Sequence, residues 1–434
     1  MRLLSSFVLA LLFITVVRAQ QPVKVPVGKQ PLAIFAVQGK IHVFCGRVDQ
    51  NFNGEQDAED TPPSWWILDP SSETVEQNIE LPWTALGFPA RLAIDSINNK
   101  VYLPAGDSIL IYDLASQQKT GAIGTGEAIR SVSIDIPSQT LFFCVSGFQT
   151  TSTVYMHNLT TGARQPVFAT DTIAYLQTAL PVRLRNGDSV LVLLFEGTFG
   201  QTDSRLVLLF EDHATILPIG GLGNHIAAFG DTVIVTMNGS HQIHLVDLRT
   251  ESIVQTIATG TDGYNGPRES LLWDHYIVTS TYNSDVRFFD LSSGELRYTL
   301  DPQGKPEGFA IANGKLWIAN AFIAGSYDPD STISILPLPT TGISPSHRET
   351  LAPLPVRISF DPATNRVRFS ADVPLHIQQI RINTLEGRTL LLQSDVALFP
   401  SGREFTLPPT ASTTVYCSVQ MKDRSFTLAL PLIR

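Results

Sequence analysis

The stretch DQNFNGEQDAED, residues 49 to 60, carries oxygen ligands at the spacing of a twelve-residue cation loop. Counted from Asp49, Asn51 stands at position 3, Asn53 at 5, Gly54 at 6, Glu55 at 7, Asp57 at 9 and Asp60 at 12. Calcium needs several hard oxygens around one point and a sharp fold-back at the sixth position, which a glycine permits. The expected ligands are Asp49, Asn51, Asn53, Glu55 through its carbonyl, Asp57 and Asp60. Asp60 is shorter than the glutamate usual at its place, which weakens a bidentate contact. The flanks IHVFCG and TPPSWWILD are strand-like, so the loop would join two strands and hold a structural ion. The alternative is a solvated acidic loop. SYDPDS, residues 326 to 331, offers Asp328 and Asp330 as a second oxygen-rich stretch, too short to read as a site alone and otherwise a turn.

A second set of residues opens successive short apolar segments: Arg91 in FPARLAI, Arg130 in AIRSVSI, Arg183 in PVRLRNG, His225 in GNHIAAF, Arg268 in GPRESLL and Glu307 in KPEGFAI. If those segments are equivalent strands around an axis, the cationic residues converge and focus an anionic or carboxylate-rich ligand. Arginines that rim a wet channel and pair with acids such as Glu127 or Glu269 are the other reading. The aromatics Trp65, Trp66, Trp83, Tyr264, Trp273, Tyr282 and Tyr327 divide the same way. Most should pack between strands; Trp83 and Tyr264, in loops, could stack on a sugar ring or grip a partner. Catalytic signatures are missing: there is no GxSxG, HExxH or GxGxxG, and no CxxCH for haem. His241 and His244, three apart on a strand, face opposite sides. The enzymatic alternative is an extracellular lyase or hydrolase of an acidic polymer, with His225 as base beside an arginine.

The elements that would position these residues repeat. The segments WWILDP, SILIYDL, TVYMHNL, RLVLLFE, QIHLVDL, DVRFFDL and TISILPL have as reference positions Asp69, Asp113, Asn158, Glu211, Asp247, Asp290 and Pro337, spaced 36 to 53 residues apart. A companion series, KIHVFCG, KVYLPAG, TLFFCVS, SVLVLLF, TVIVTMN, HYIVTST and KLWIANA, precedes them. Turn-rich joints such as DLASQQKTG and DLSSGELR read as tight hairpins. Seven such units without helix periodicity between residues 25 and 340 predict an all-β, seven-bladed β-propeller.

These units, most visibly NKVYLPAGDSILIYDLASQQKTGAIGTG and GKLWIANAFIAG, resemble the YVTN-type propeller repeats of secreted and surface-layer proteins. NHL-like repeats would leave much the same trace, and the likeness speaks for fold more than activity. Beyond a Pro, Thr and Ser rich linker at 341–355, residues 356–434 hold further strand candidates that predict a small Ig-like β-sandwich. The line IRINTLEGRTLL, ALFPSGREFTLP, VYCSVQ is similar to the C-terminal sorting domain of proteins exported by type IX secretion, with its Gly387-Arg388 turn. It departs from that family in having Thr414-Val415-Tyr416 before its penultimate strand and ALPLIR at the end. The resemblance implies engagement of the outer-membrane export machinery.

Residues 1–19 combine a basic Arg2, an apolar run and Val-Arg-Ala, the pattern of a cleaved signal peptide. No later run is long and apolar enough for a membrane helix, so no transmembrane segment is expected in the mature protein. A net charge of -10 without clustered Lys and Arg excludes a nucleic-acid footprint. Cys45, Cys144 and Cys417 are too few for a disulfide framework, and the first two, in IHVFC and LFFC, read as buried thiols. Together these features describe a secreted or cell-surface protein with the propeller at 25–340, binding a protein or glycan without catalysis. A purely structural envelope component is the third reading.

Overall fold

The computed structural model describes residues 21–88, 91–146, 151–173 and 175–339, then 356–361, 366–371, 375–384, 389–398, 403–407, 414–420 and 425–431. The expected signal peptide, the expected linker at 341–355 and the Gly387-Arg388 turn lie outside the described residues. The chain divides into two compact units, Met1–Pro339 and Thr340–Arg434.

The first unit is a seven-bladed β-propeller of four-stranded antiparallel sheets. After β1 (Val23–Pro26), the first blade is β2 (Pro31–Val37), β3 (Lys40–Cys45), β4 (Ser64–Asp69) and β5 (Thr74–Glu80). The second is β6 (Ala93–Asp95), β7 (Lys100–Ala105), β8 (Ser108–Asp113) and β9 (Lys119–Gly124). The third is β10 (Ile129–Asp135), β11 (Thr140–Ser146), β12 (Ser152–Asn158) and β13 (Arg164–Thr170). The fourth is β14 (Leu176–Arg183), β15 (Ser189–Phe195), β16 (Ser204–Leu209) and β17 (Ala214–Gly220). The fifth is β18 (Gly223–Phe229), β19 (Thr232–Met237), β20 (Gln242–Asp247) and β21 (Ser252–Ala258). The sixth is β22 (Pro267–Trp273), β23 (Tyr276–Thr281), β24 (Asp285–Asp290) and β25 (Leu296–Leu300). The seventh takes β26 (Lys305–Ala312), β27 (Lys315–Phe322) and β28 (Thr332–Pro337) from the end of the unit. Its fourth strand is β1, paired with β28 from Val23↔Ile335 to Pro26↔Thr332. The seventh repeat thus lacks a fourth strand of its own, and the N-terminal segment closes the ring.

The second strand of each blade lies between two neighbouring blades, so both of its faces are covered. That is why KIHVFC, KVYLPA and SVLVLLF read as largely apolar runs without alternation and are buried along almost their whole length. The outermost strands, such as TVEQNIE, are largely exposed and polar. Burial is concentrated in seams: Phe44, Trp65, Leu103 and Tyr112 join the first and second blades. Ile34, Val43, Trp317 and Ile335 join the seventh to the first across the closure. Phe44 stacks on Trp65 at 5.2 Å. Each fully buried side chain of this size contributes about 1.5–3 kcal/mol on leaving water, so the seams hold the ring together. Burial also pulls His42 down to about 4, leaving its Nδ1 unprotonated to accept from Trp65 Nε1 at 3.3 Å.

The acid or amide that recurs at the end of most third strands has a local task. Asp69 accepts from the backbone amides of Ser71 and Ser72, Asp247 from Arg249 and Thr250, and Asp290 from Ser292 and Ser293. Asn158 does the same toward Thr160 and Thr161. Each side chain closes the hairpin to the outermost strand, which explains its recurrence without any functional role. Cys45 and Cys144 are free and buried, and burial pushes both thiols up to about 12.

The second unit holds two antiparallel sheets. One comprises β29 (Val356–Asp361), β30 (Arg366–Ala371) and β33 (Arg403–Thr406); the other runs β32 (Thr389–Leu398), β31 (Leu375–Thr384), β34 (Thr414–Gln420), β35 (Ser425–Pro431). Val367, Phe369, Ile377, Ile380 and Ile382 are buried. Among the described residues, no helix is long and apolar enough to cross a membrane.

Candidate binding face

The innermost strands begin at one face of the ring, here the upper face, and most of them begin with a register irregularity. The ladder skips Leu32 in β2, Arg130 in β10, Gln177 in β14 and Asn224 in β18. It also skips Arg268 and Glu269 in β22, and Glu307 and Gly308 in β26. A bulge leaves its extra residue outside the ladder and re-aims the side chain. Six blades therefore present a bulged residue at the equivalent level. In the second blade, Arg91 just before β6 accepts at its carbonyl from Val132 N at 3.0 Å.

The polar members form two hydrogen-bonded groups whose charges act on one another. Arg268 donates Nε to Glu307 Oε2 at 2.9 Å and Nη2 to Oε1 at 2.8 Å, with both side chains buried. The Tyr282 hydroxyl donates to Glu307 as well, and the Arg268 guanidinium lies 4.6 Å from the Tyr282 ring centre and 5.6 Å from that of Phe88. Arg130 donates Nε to Gln177 at 3.1 Å and Nη2 to Glu196 at 2.8 Å, while Gln177 Nε2 donates to the same Glu196 oxygen. Arg91 Nη2 donates to the Asn224 carbonyl at 2.8 Å, and Asn224 Nδ2 to that of Arg268.

Burial shifts three titratable groups of this region. It pushes Glu269 up to about 8, helped by the charge of Glu307 and opposed by Arg91. It raises Glu196 too, against the pull of Arg130, Arg268 and Arg91. It pulls His225 down to about 3, with Arg91 adding to the effect. At neutral pH, Glu269 is mostly a carboxylic acid and His225 a neutral ring.

Five of the six residues expected at the axis, Arg91, Arg130, His225, Arg268 and Glu307, belong to this region, with His225 one residue past the bulge at Asn224. Arg183 does not. It sits at the far end of β14, half-exposed, bonded through Nη2 to Asp135 Oδ2 at 2.8 Å on the opposite face. Gln177 is its counterpart at the upper level. Gln177, Asn224, Glu196 and Tyr282 went unnoticed as network members because bulge positions are set by pairing between strands. The available signal was a polar residue just before each innermost apolar segment, as in LQTAL and GNHIA.

The upper face is also aromatic. Among the described residues, the strongly exposed aromatics are Phe52, Phe88, Phe199, Tyr264 and Tyr327, all in loops of this face. Among the described residues, the exposed large apolar residues of the propeller's outermost strands and lower turns, Val23, Ile97, Ile216, Ile253, Val254 and Leu296, are aliphatic. Phe199 and Tyr264 stack with centres 6.1 Å apart, and the Tyr327 hydroxyl donates to the Tyr264 carbonyl at 3.1 Å. Tyr327 and Tyr282 meet Phe322 edge-on at 5.5 and 5.6 Å, and Lys305 Nζ lies 3.8 Å from the Tyr327 ring centre. Trp65, by contrast, is a seam residue.

The loop between β3 and β4 stands on the same face, closed at its base by the Val48↔Thr61 bridge. Gly54 has φ +82°, a left-handed conformation that a side chain would strain. Asp49 accepts from the amides of Asn53 and Gly54, and Asp60 from those of Gln50 and Asp57. Asp57 takes Asn51 Nδ2 at 2.5 Å, and Asn53 Oδ1 takes the Glu55 amide. Trp83 Nε1 donates to the Gly54 carbonyl, fastening the loop to the next one. Among the described residues, no group of three or more His, Cys, Asp or Glu is gathered as a metal site.

Fold and face together define a seven-bladed propeller whose upper surface joins an aromatic rim to an axial polar network. No family model matches the chain, and no curated protein matches it either. Among solved structures it is similar to a chain titled Kuenenia stuttgartiensis hydrazine synthase, at 11% identity and a TM-score of 0.54, over 75% of this chain and 99% of that one. At that identity the likeness concerns the fold alone.

Proposed function

We propose that this protein is a secreted or cell-surface propeller that binds a protein or glycan partner through its upper face, without catalysis. The observation that carries the reading is that, among the described residues, the strongly exposed aromatics all lie on that face. Rigid rings held out of the core are costly in water, and they supply contact area to a partner or a stacking surface to sugars. The axial chemistry supports binding over turnover. His225, held near 3, is a poor base at neutral pH, and Arg268 is committed through its Nε and Nη2 edge to Glu307.

The proposal extends to the rest of the chain. Residues 1–19 direct secretion, 25–340 bind, 341–355 link, and 356–434 form an Ig-like sandwich that engages outer-membrane export machinery. The loop from Asp49 to Asp60 takes a structural calcium ion, its side-chain oxygens exchanging backbone amides for the metal. That ion would stiffen the rim beside Trp83.

A glycan array and a binding assay on intact cells test the central claim. Phe199→Ala and Tyr264→Ala should each lower retention at least about tenfold, the scale of an aromatic hot spot. Ile253→Ala and Val254→Ala, on an outermost strand, should leave it unchanged. Equal losses from both pairs, or none from the aromatic pair, would reject the upper face as the binding surface.

A further inference from the structure

At the upper face, where the first three blades meet, a cavity of about 530 Å³ opens beside the axial network. Arg47, Phe88, Pro104, Ile129, Arg130 and Ser146 form most of its wall. The volume suits one or two sugar rings or a molecule of that size. Two arginines line it, and among the described residues no aspartate or glutamate does. The rest of the wall is mainly apolar, with the half-exposed Phe88 ring on one side.

The two arginines keep donor capacity in reserve. Arg130 uses Nε and Nη2 on Gln177 and Glu196, and none of the described residues accepts from its Nη1. Arg47 makes only a long bond, 3.4 Å, from Nη1 to the Trp83 carbonyl, with its guanidinium 5.1 Å from the Trp83 ring centre. A guanidinium anchored on one edge and open on the other is oriented before a ligand arrives, and a carboxylate is the group whose geometry matches it. The apolar wall and the Phe88 ring ask for a ligand body with a C–H face, which a saturated sugar ring provides.

We propose that this cavity binds a carboxylated sugar residue, with the carboxylate between Arg47 and Arg130 and the ring against Phe88. The inference deepens the reading of the upper face as a binding face, because it names the ligand chemistry at one place on it. It gives a role to two arginines in a wall that, among the described residues, holds no acid, the Glu196 partner of Arg130 not being part of that wall.

The test is titration calorimetry of the purified protein with sodium glucuronate, glucose and sodium sulfate. Glucuronate should bind at least about tenfold tighter than glucose or sulfate, as expected for a charge-assisted bond that glucose cannot make and a ring contact that sulfate cannot. Arg47→Met and Phe88→Ala should each weaken glucuronate about tenfold or more. Arg130→Gln should do the same; because it also disturbs Glu196, its melting temperature is measured alongside, and Arg47→Met alone suffices if that variant unfolds. Equal binding of sulfate would make this a general anion site and overturn the sugar assignment. Absent glucuronate binding, or binding indifferent to Arg47 and Phe88, would overturn the proposal outright. In either case, a partner retained through Phe199 and Tyr264 would leave the upper-face reading standing.

Discussion

Replacing Arg268 with methionine removes one half of a buried ion pair at the seam of the sixth and seventh blades. The side chains of Arg268 and Glu307 keep only 10% and 2% of their accessible surface. Two charge-assisted hydrogen bonds are lost, each worth about 1.5–3 kcal/mol. Glu307 is left with the Tyr282 hydroxyl as its neutral partner, a buried carboxylate that has lost its bonded cation and keeps only the influence of the Arg91 charge. Breaking one side of such a pair costs about 3–5 kcal/mol. The double variant Arg268→Met with Glu307→Gln removes the stranded charge and keeps an acceptor for Tyr282, so it should recover about half of that loss or more. Urea unfolding followed by tryptophan fluorescence measures both. All five tryptophans, Trp65, Trp66, Trp83, Trp273 and Trp317, lie in the propeller, so the signal reports that unit. A loss below about 1 kcal/mol in Arg268→Met, or a double variant no more stable than the single one, would refute the claim that this pair holds the seam by mutual neutralisation.

Two further outcomes follow from the same network and its rim. Burial raises Glu269 from the ordinary 4.5 to about 8 in the folded state, so between those values the folded protein holds a proton that the unfolded chain has released. This group's contribution is therefore full below about 4.5 and is lost as pH rises through about 8. Glu269→Gln, neutral throughout, should gain melting temperature relative to the unmodified protein as pH goes from 5 to 8.5, and a constant difference would contradict the raised carboxyl. For the loop at 49–60, millimolar calcium should raise the melting temperature, chelator should reverse it, and Asp49→Ala with Asp60→Ala should abolish the response. No change with calcium, and no calcium copurifying, would make the loop a solvated insertion held by its own amides.

The blade count and strand order were legible because they are local. A second strand covered on both faces must be apolar along its length, and a hairpin turn closed by an Asx side chain must carry an acid or amide at its start. Both rules write themselves into the chain every few dozen residues, as in KIHVFC and WWILDP. The axial set was only partly legible. The sequence marks polar residues at the heads of the innermost strands, but whether Arg183 or Gln177 stands at the upper level depends on which end of β14 faces that side, a property of pairing and bulge register.

Sequence alone thus determined the all-β class, the seven repeats, the buried thiols and the composition of the loop at 49–60. Tertiary structure decided that β1, some three hundred residues before its partner β28, completes the seventh blade. It also decided that Arg268 meets Glu307 from the next blade, and that Phe88, Phe199, Tyr264 and Tyr327 gather on one face. Contacts along a strand or hairpin are dictated by periodicity and turn chemistry within a few residues. Contacts between blades arise only once the seams have packed and the ring has closed, and no local pattern encodes which distant side chains that closure brings together.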